Sequence, residues 1–360
     1  MKKSLLVTSL LLTLGLASCG NQPAQSSTKV EEGPKKAQVI VMSGQSNMEG
    51  STLWGEKANA NHKEDDDNWL EKAFEELGTK YDANDYIDGN VPEIQMSFRC
   101  FYPYENPIKV NASNMEDPMA GEFKNLQVGM ANQTRFIGPE IGLANILREK
   151  ASEDTPIFFI KSAYGGSSLG DQMGTNKEYI WRTADDGNGT EGKLWTETKE
   201  FVHNNLKLIE DAGFHPEIKA WLWHQGESDT DNNDQAGEEQ YGVFMRHLLA
   251  EFREEFSEYA PEEDGDNIAF VDCTIYDGGR IGYNAEKKGG LNDMKKAIAE
   301  EGENNYIING SFIDEGGLQL QIGGNSDLDG GFNKYHYITK DCIRLGEAYG
   351  NILVDNNIIE

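Results

Sequence analysis

Short apolar runs separated by helical patterns predict an α/β protein in three layers, a central parallel sheet with helices on both faces. Two observations carry this. Strand-like runs bounded by turn residues occur at 38–42 (QVIVM), 157–160 (IFFI), 220–223 (AWLW) and 268–271 (IAFV). Helical periodicity fills the intervals between and after them, at 140–150, 199–212, 241–256, 292–301 and 339–349. No internal repeat is present.

Taken in order, the chain opens with Lys2 and Lys3 ahead of an apolar run from Leu5 to Leu16. That run is too short to span a bilayer, and residues 1–18 read as an export signal. Leu16-Ala17-Ser18-Cys19 resembles a bacterial lipoprotein box. The resemblance implies cleavage before Cys19, lipidation of that cysteine, and an exported protein lipid-anchored to the bacterial cell envelope. An ordinary secretory signal is the alternative reading. Residues 19–37 are polar, hold Pro and Ser, and lack hydrophobic period, so they read as a flexible tether averaging about 25 Å end to end. The folded domain is then 38–360.

The composition excludes several partners. Acidic residues number 62 against 32 basic, a formal charge of −30 that loss of Lys2 and Lys3 would deepen. The basic patches that hold nucleic acid or anionic lipid are missing, so the only membrane contact expected is through the N-terminal lipid. The run Glu64-Asp65-Asp66-Asp67 reads as solvated loop. Beyond Cys19 the cysteines are Cys100, Cys273 and Cys342, which allow one disulfide and have no CxxC spacing.

The first strand runs into SGQSNMEG, with glycines at Gly44 and Gly50 around Ser46. A serine lifted clear of a sheet by a tight turn is placed to act as a nucleophile. The following interval, 51–135, is rich in Asn, Asp, Pro and aromatic residues, with a modest helical pattern near 69–77. A connection that long is expected to build one wall of the site beside Ser46. The second strand leads into SAYGGSS, 162–168, and the third into HQGES, 224–228. Ligands bind beyond the carboxyl ends of parallel strands, where these three loops meet. Individually, a capping serine, a glycine turn and a core histidine account for them. Together, a serine, glycine N–H groups and a side-chain amide make a nucleophile with an oxyanion hole.

Serine needs a base, and position narrows six histidines to two. His62 lies in the acidic loop, His203 and His247 fall inside helical patterns, and His215 precedes a proline. His224 leaves a central strand beside Gln225, where it can brace the loop. His336 sits just before the last helix and is assigned as the base.

These blocks resemble the SGNH (GDSL-like) hydrolases, in the branch of sialate O-acetylesterases and acetyl xylan esterases. The resemblance rests on GQSNM at 44–48, IGPEIGLA at 137–144, KSAYGGSSL at 161–169, WHQGESD at 223–229 and a late histidine. It implies a flavodoxin-like α/β/α topology, a serine esterase that removes acetyl groups from glycans, and no cofactor. Carried over, Ser46 resembles the nucleophile and His336 the base, with Ser46 N–H, Gly166 N–H and the Gln225 side chain as oxyanion donors. The family places an aspartate three residues before the base, whereas NKYH has Asn333 there. Asp329, and next to it Asp327, is the carboxylate within reach if the loop 323–333 folds back. Asn325 to Gly330 also matches half of a calcium loop, but position twelve falls on His336 instead of glutamate, so no metal is assigned. A surface lipoprotein that binds glycans with its abundant aromatics, with weak or no catalysis, is the alternative function. Among substrates, the acidic surface favours acetylated neutral glycans such as xylan over acetylated sialic acid; Arg135, Lys161 and Arg182 are the cations near enough to offset that preference.

Overall fold

The computed structural model describes residues 34–54, 70–99, 121–169, 180–184, 191–230, 238–277, 285–311, 317–318, 320 and 336–360. The expected export signal, Cys19 and most of the tether lie outside these residues, as do Cys100, Asp327, Asp329 and Asn333. In chain order the elements are β1 (Lys35–Gly44), α1 (Ser46–Glu49), β2 (Thr52–Leu53), α2 (Leu70–Leu77), α3 (Ala83–Ile87) and β3 (Ile94–Phe98). There follow β4 (Lys124–Asn125), β5 (Phe136–Ile137), α4 (Glu140–Leu147), β6 (Ile157–Ala163), α5 (Lys193–Asp211) and β7 (Phe214–His224). The last are α6 (Glu227–Thr230), α7 (Glu238–Glu255), β8 (Ala269–Cys273), α8 (Ala285–Ala299), β9 (Asn305–Ile308) and α9 (Thr339–Asp355).

The main sheet has the order β4-β3-β6-β1-β7-β8-β9. Every pair is parallel except β3 with β4. Its five strands β6-β1-β7-β8-β9 follow the 2-1-3-4-5 order of flavodoxin-like sheets, as expected. The chain switches sides at β1, between β6 and β7, and the crevice beyond the carboxyl ends of strands opens at such a switch point.

β1 shows why the sheet is covered twice. Its side chains alternate in direction with a period of two, and both sets are apolar. Ile40 and Met42 enter a core with α4 and α9, through Ile141, Leu147, Ile343 and Leu353. Val39 and Val41 enter a second core with α5 and α7, through Phe201, Leu206, Leu248 and Phe252. Trp221 of β7 stacks on Phe252 at 4.2 Å between ring centroids, almost coplanar. Each such side chain removed from water contributes about 1.5–3 kcal/mol, which makes the two cores the main support of the site.

Three expectations change. β1 starts at Lys35 and β7 at Phe214, because Lys35 to Ala37 pair with Phe214 to Pro216. Their polar residues hid this edge of the sheet. The interval 51–135 does more than wall the site: β3 and β4 extend the sheet past β6. β9 carries only Tyr306, Ile307 and Ile308 as apolar signal and escaped the pattern. Cys273 and Cys342 are buried free thiols, so they do not form the allowed disulfide with one another. No helix among the described residues is long and apolar enough to cross a membrane.

Candidate active site

β1 ends at Gly44 with φ +147°, and a β-carbon there would overlap the carbonyl of His224. Only glycine lets β1 and β7 close together at this edge. Gln45 N–H then donates to the His224 carbonyl at 2.9 Å. The Gln45 side-chain oxygen accepts from Gly226 N–H (3.2 Å), Ser228 N–H (3.3 Å) and Gln225 Nε2 (3.3 Å). One side chain thus organises the HQGES loop.

Ser46 opens the single turn of α1, where Met48 and Glu49 N–H both donate to the Gln45 carbonyl at 2.8 Å. It retains 9% exposure. Its hydroxyl makes no hydrogen bond among the described residues, His336 included. The loop after β6 folds against it. Tyr164 N–H donates to Gly44 (3.0 Å), Gly165 N–H to Glu49 Oε2 (2.8 Å), and Ser167 N–H closes a turn on Tyr164 (3.2 Å). A β-carbon on Gly165 would lie 3.5 Å from Ser46 Cβ. Gly166, at φ +73°, faces open space, as the third residue of such a turn requires. Among the described residues neither Gly166 N–H nor Ser46 N–H has an acceptor.

Gln225 is corrected from oxyanion donor to brace. It is fully buried, and its Nε2 is taken up by Ser167 O (3.1 Å), Gln45 Oε1 and Asp229. Asp229 in turn accepts Leu169 N–H at 3.1 Å. The amide therefore locks the loops after β1, β6 and β7 to one another.

His224 is fully buried and bonded through Nε2 to the Tyr337 hydroxyl at 2.9 Å. Burial pushes its pKa down to about 4, so it is neutral at pH 7 and braces the fold, as expected. Tyr337 also accepts from Thr52 Oγ1 at 3.0 Å through its carbonyl. Those two bonds tie Tyr337, the residue after His336, to the end of β7 and to Thr52 of β2.

Several residues escaped the sequence. Lys161, named above as a cation near the loops, is 2% exposed. Its ammonium donates to Glu140 Oε2 and to the Glu49 carbonyl, both at 3.0 Å. Glu140, of the GPE segment, is fully buried and accepts Gly138 N–H at 2.8 Å. Asn47 donates to Glu227 Oε1 at 2.8 Å, tying α1 to α6. Burial pushes Glu49 up to about 8, against the Gly165 bond and the Lys161 charge. Burial would also raise Glu227, but His224, the Asn47 bond and Lys295 hold it below its ordinary value. A charged residue inside an apolar strand, as in IFFIKSA, was the available signal. Arg135 lies over Phe136 at 4.7 Å and Arg182 over Phe244 at 4.9 Å.

Residues 105–261 match the family model described as carbohydrate esterase, sialic acid-specific acetylesterase. That part of the chain is similar to a carbohydrate-esterase family. The matched part holds Gly166, His224, Gln225 and Glu227, while Ser46 and His336 stand on either side of it. Among curated proteins none matches the chain. A solved structure of a protein from Arabidopsis thaliana is similar in fold, with TM-score 0.53 and 17% identity over 90% of this chain and 99% of its own. NanS gives TM-score 0.49 and 12% identity over 90% of this chain and 98% of its own. A carbohydrate acetylesterase from Xanthomonas citri gives 0.46 and 17% over 89% of this chain and 56% of its own.

Proposed function

We propose that this esterase removes acetyl groups from glycans through an acetyl-Ser46 intermediate. The observation that carries the reading is that the loop bearing Gly165 and Gly166 is tied to the Ser46 turn through Gly165 N–H on Glu49, while Ser46 N–H and Gly166 N–H have no acceptor among the described residues. His336 takes the hydroxyl proton as Oγ attacks the acetyl carbonyl carbon. The carbonyl electron pair moves onto oxygen, where the two amides receive it; one donor of this kind is worth about 2.7–4 kcal/mol of barrier. Collapse breaks the bond to the sugar oxygen, which takes the proton from the imidazolium. Water then repeats the sequence on acetyl-Ser46 and releases acetate. Asp329 is the carboxylate proposed to orient His336.

For substrate we favour neutral acetylated glycans over acetylated sialic acid, although the matched family's description names the latter. The formal charge of −30 and the commitment of Lys161 to Glu140 support this choice. Lipid anchoring through Cys19 belongs to the same proposal. The deciding experiment is Ser46→Ala assayed by acetate release. The expected outcome is loss of hydrolysis with an unchanged circular dichroism spectrum; turnover near wild type overturns the serine mechanism. A protein that only binds glycans releases acetate from no ester.

A further inference from the structure

We propose that Glu49 is a positioning residue of the esterase, whose side chain fixes the oxyanion loop by holding the Gly165 amide. The inference rests on Ser46 and Gly166 acting as proposed above, and deepens that reading.

The turn Tyr164–Ser167 carries Gly166, whose N–H has no acceptor among the described residues, and the orientation of that N–H depends on what anchors the turn. Tyr164 N–H is tied to the Gly44 carbonyl at 3.0 Å and Ser167 N–H to Tyr164 at 3.2 Å. Ser167 is held further by Gln225 Nε2 on its carbonyl (3.1 Å) and Trp181 Nε1 on its hydroxyl (2.9 Å), and the anchor next to Gly166 is Gly165 N–H on Glu49 Oε2, at 2.8 Å. That bond joins the residue before the oxyanion donor to the turn that bears the nucleophile. Glu49 is itself pinned, because Lys161 Nζ holds its carbonyl at 3.0 Å and Glu140 holds Lys161. A residue kept only for packing would be apolar here. Glu49 is 3% exposed, and its Oε1 has no hydrogen-bond partner among the described residues. Burying that oxygen costs stability, and the Gly165 bond is what offsets the cost.

Its charge state suits the task. Burial pushes the Glu49 carboxyl up to about 8, so at pH 7 it is the neutral acid. The groups around α1 explain why no cation reverses this. Lys161 on β6 is already matched by Glu140 on α4, at 3.0 Å. On the other side of α1, Glu227 is bonded to Asn47 and His224 is neutral. A neutral acid accepts the Gly165 N–H without placing a negative charge beside the oxyanion as it develops. A carboxylate in the same place opposes that charge.

The test uses the full chain and a soluble acetyl ester, with kcat and KM measured against pH for wild type, Glu49→Leu, Glu49→Gln and Ser46→Ala. Glu49→Leu is expected to lower kcat by about 10- to 100-fold with KM within about threefold, since the oxyanion donor is displaced and ground-state contacts are not. Glu49→Gln keeps an acceptor for Gly165 and recovers most of that loss at pH 7. Wild type loses kcat above about pH 8, and Glu49→Gln does not. Wild-type kcat in Glu49→Leu overturns the proposal, as does a Gln variant no better than Leu or one that keeps the alkaline fall. If the Leu variant does not fold, the pH profile of Glu49→Gln decides alone. An active Ser46→Ala defeats the acyl-serine reading itself. An inactive Ser46→Ala with an unaffected Glu49→Leu defeats only the positioning role.

Discussion

Glu49 and Glu227 flank the same turn of helix, both are buried, and they titrate in opposite directions. Glu49 reaches from α1 to the loop after β6 and is pushed up to about 8. Glu227 reaches from the loop after β7 back to Asn47 of α1 and is held below the ordinary carboxylate value. Burial raises both. The difference lies in how much opposes it. Glu49 has the Gly165 bond and the charge of Lys161, whose direct bond goes to the Glu49 backbone carbonyl. Glu227 has more against burial: His224, a backbone N–H bond, the Asn47 donor and the charge of Lys295. A buried carboxyl is thus ionised or neutral according to how many donors and charges face it. One side of the Ser46 turn is fixed by a charged brace and the other by a neutral one.

Glu49 is bonded to Gly165 and Glu227 to Asn47, and the carboxylate proposed above to orient His336 is Asp329. Asp329→Ala is expected to lower kcat by up to about 10⁴, the scale of losing that group in a serine protease. No loss there, combined with a large gain on Asn333→Asp, would mean that the serine and histidine work as an unassisted pair. Next in size is stability. Glu227→Leu removes the buried acceptor of the Asn47 bond and is expected to cost about 2–3 kcal/mol in urea unfolding, more than Glu49→Leu. Equal costs would erase the distinction between charged and neutral braces.

The pH dependence of stability separates the two sides further. Glu49 has its folded pKa above the unfolded one, so the native state keeps a proton that the unfolded chain has lost between about pH 4.5 and 8. Its contribution therefore falls as pH rises through that window and is flat above it. Relative to wild type, Glu49→Gln should gain about 1.4 kcal/mol between pH 6 and 7. His224 has its folded pKa depressed to about 4, so its contribution is lost as pH falls from about 6.5 to 4. Replacing it by Gln should flatten that acid limb, and an unchanged limb would mean that His224 is charged in the native state. The smallest effect is ionic. Raising salt should narrow the preference for neutral over sialic acid esters, which we expect to be about twofold at low salt through the net field. Faster turnover of the sialic acid ester at low salt would assign control to a local cation, with Arg135 and Arg182 the remaining candidates.

Much of the fold was legible because its signals are local. The apolar runs at 38–42, 157–160, 220–223 and 268–271 are the centres of β1, β6, β7 and β8, and the helical patterns match α4, α5, α7, α8 and α9. The strands of the interval 51–135 were not legible. β3 and β4 are short, and they are ordered by pairing with β6 and with one another. In the site, the tight turn at Ser46 and the glycine turn at 165–166 announced themselves through residue type. Gln225 was misassigned because an amide in a loop looks the same whether it faces a substrate or Asp229.

The sequence by itself determined the layered α/β architecture and which loops leave the carboxyl ends of adjacent strands, since both follow from periodicity and turn chemistry within a few residues. The tertiary structure alone decided which polar groups hold the loops to one another. Asn47 meets Glu227 across 180 positions, Lys161 meets Glu140 across 21, and Tyr337 meets His224 across 113. Protonation, and with it role, follows from desolvation and from whatever charge lies a few ångströms away in space, and neither quantity is written in the order of residues along the chain.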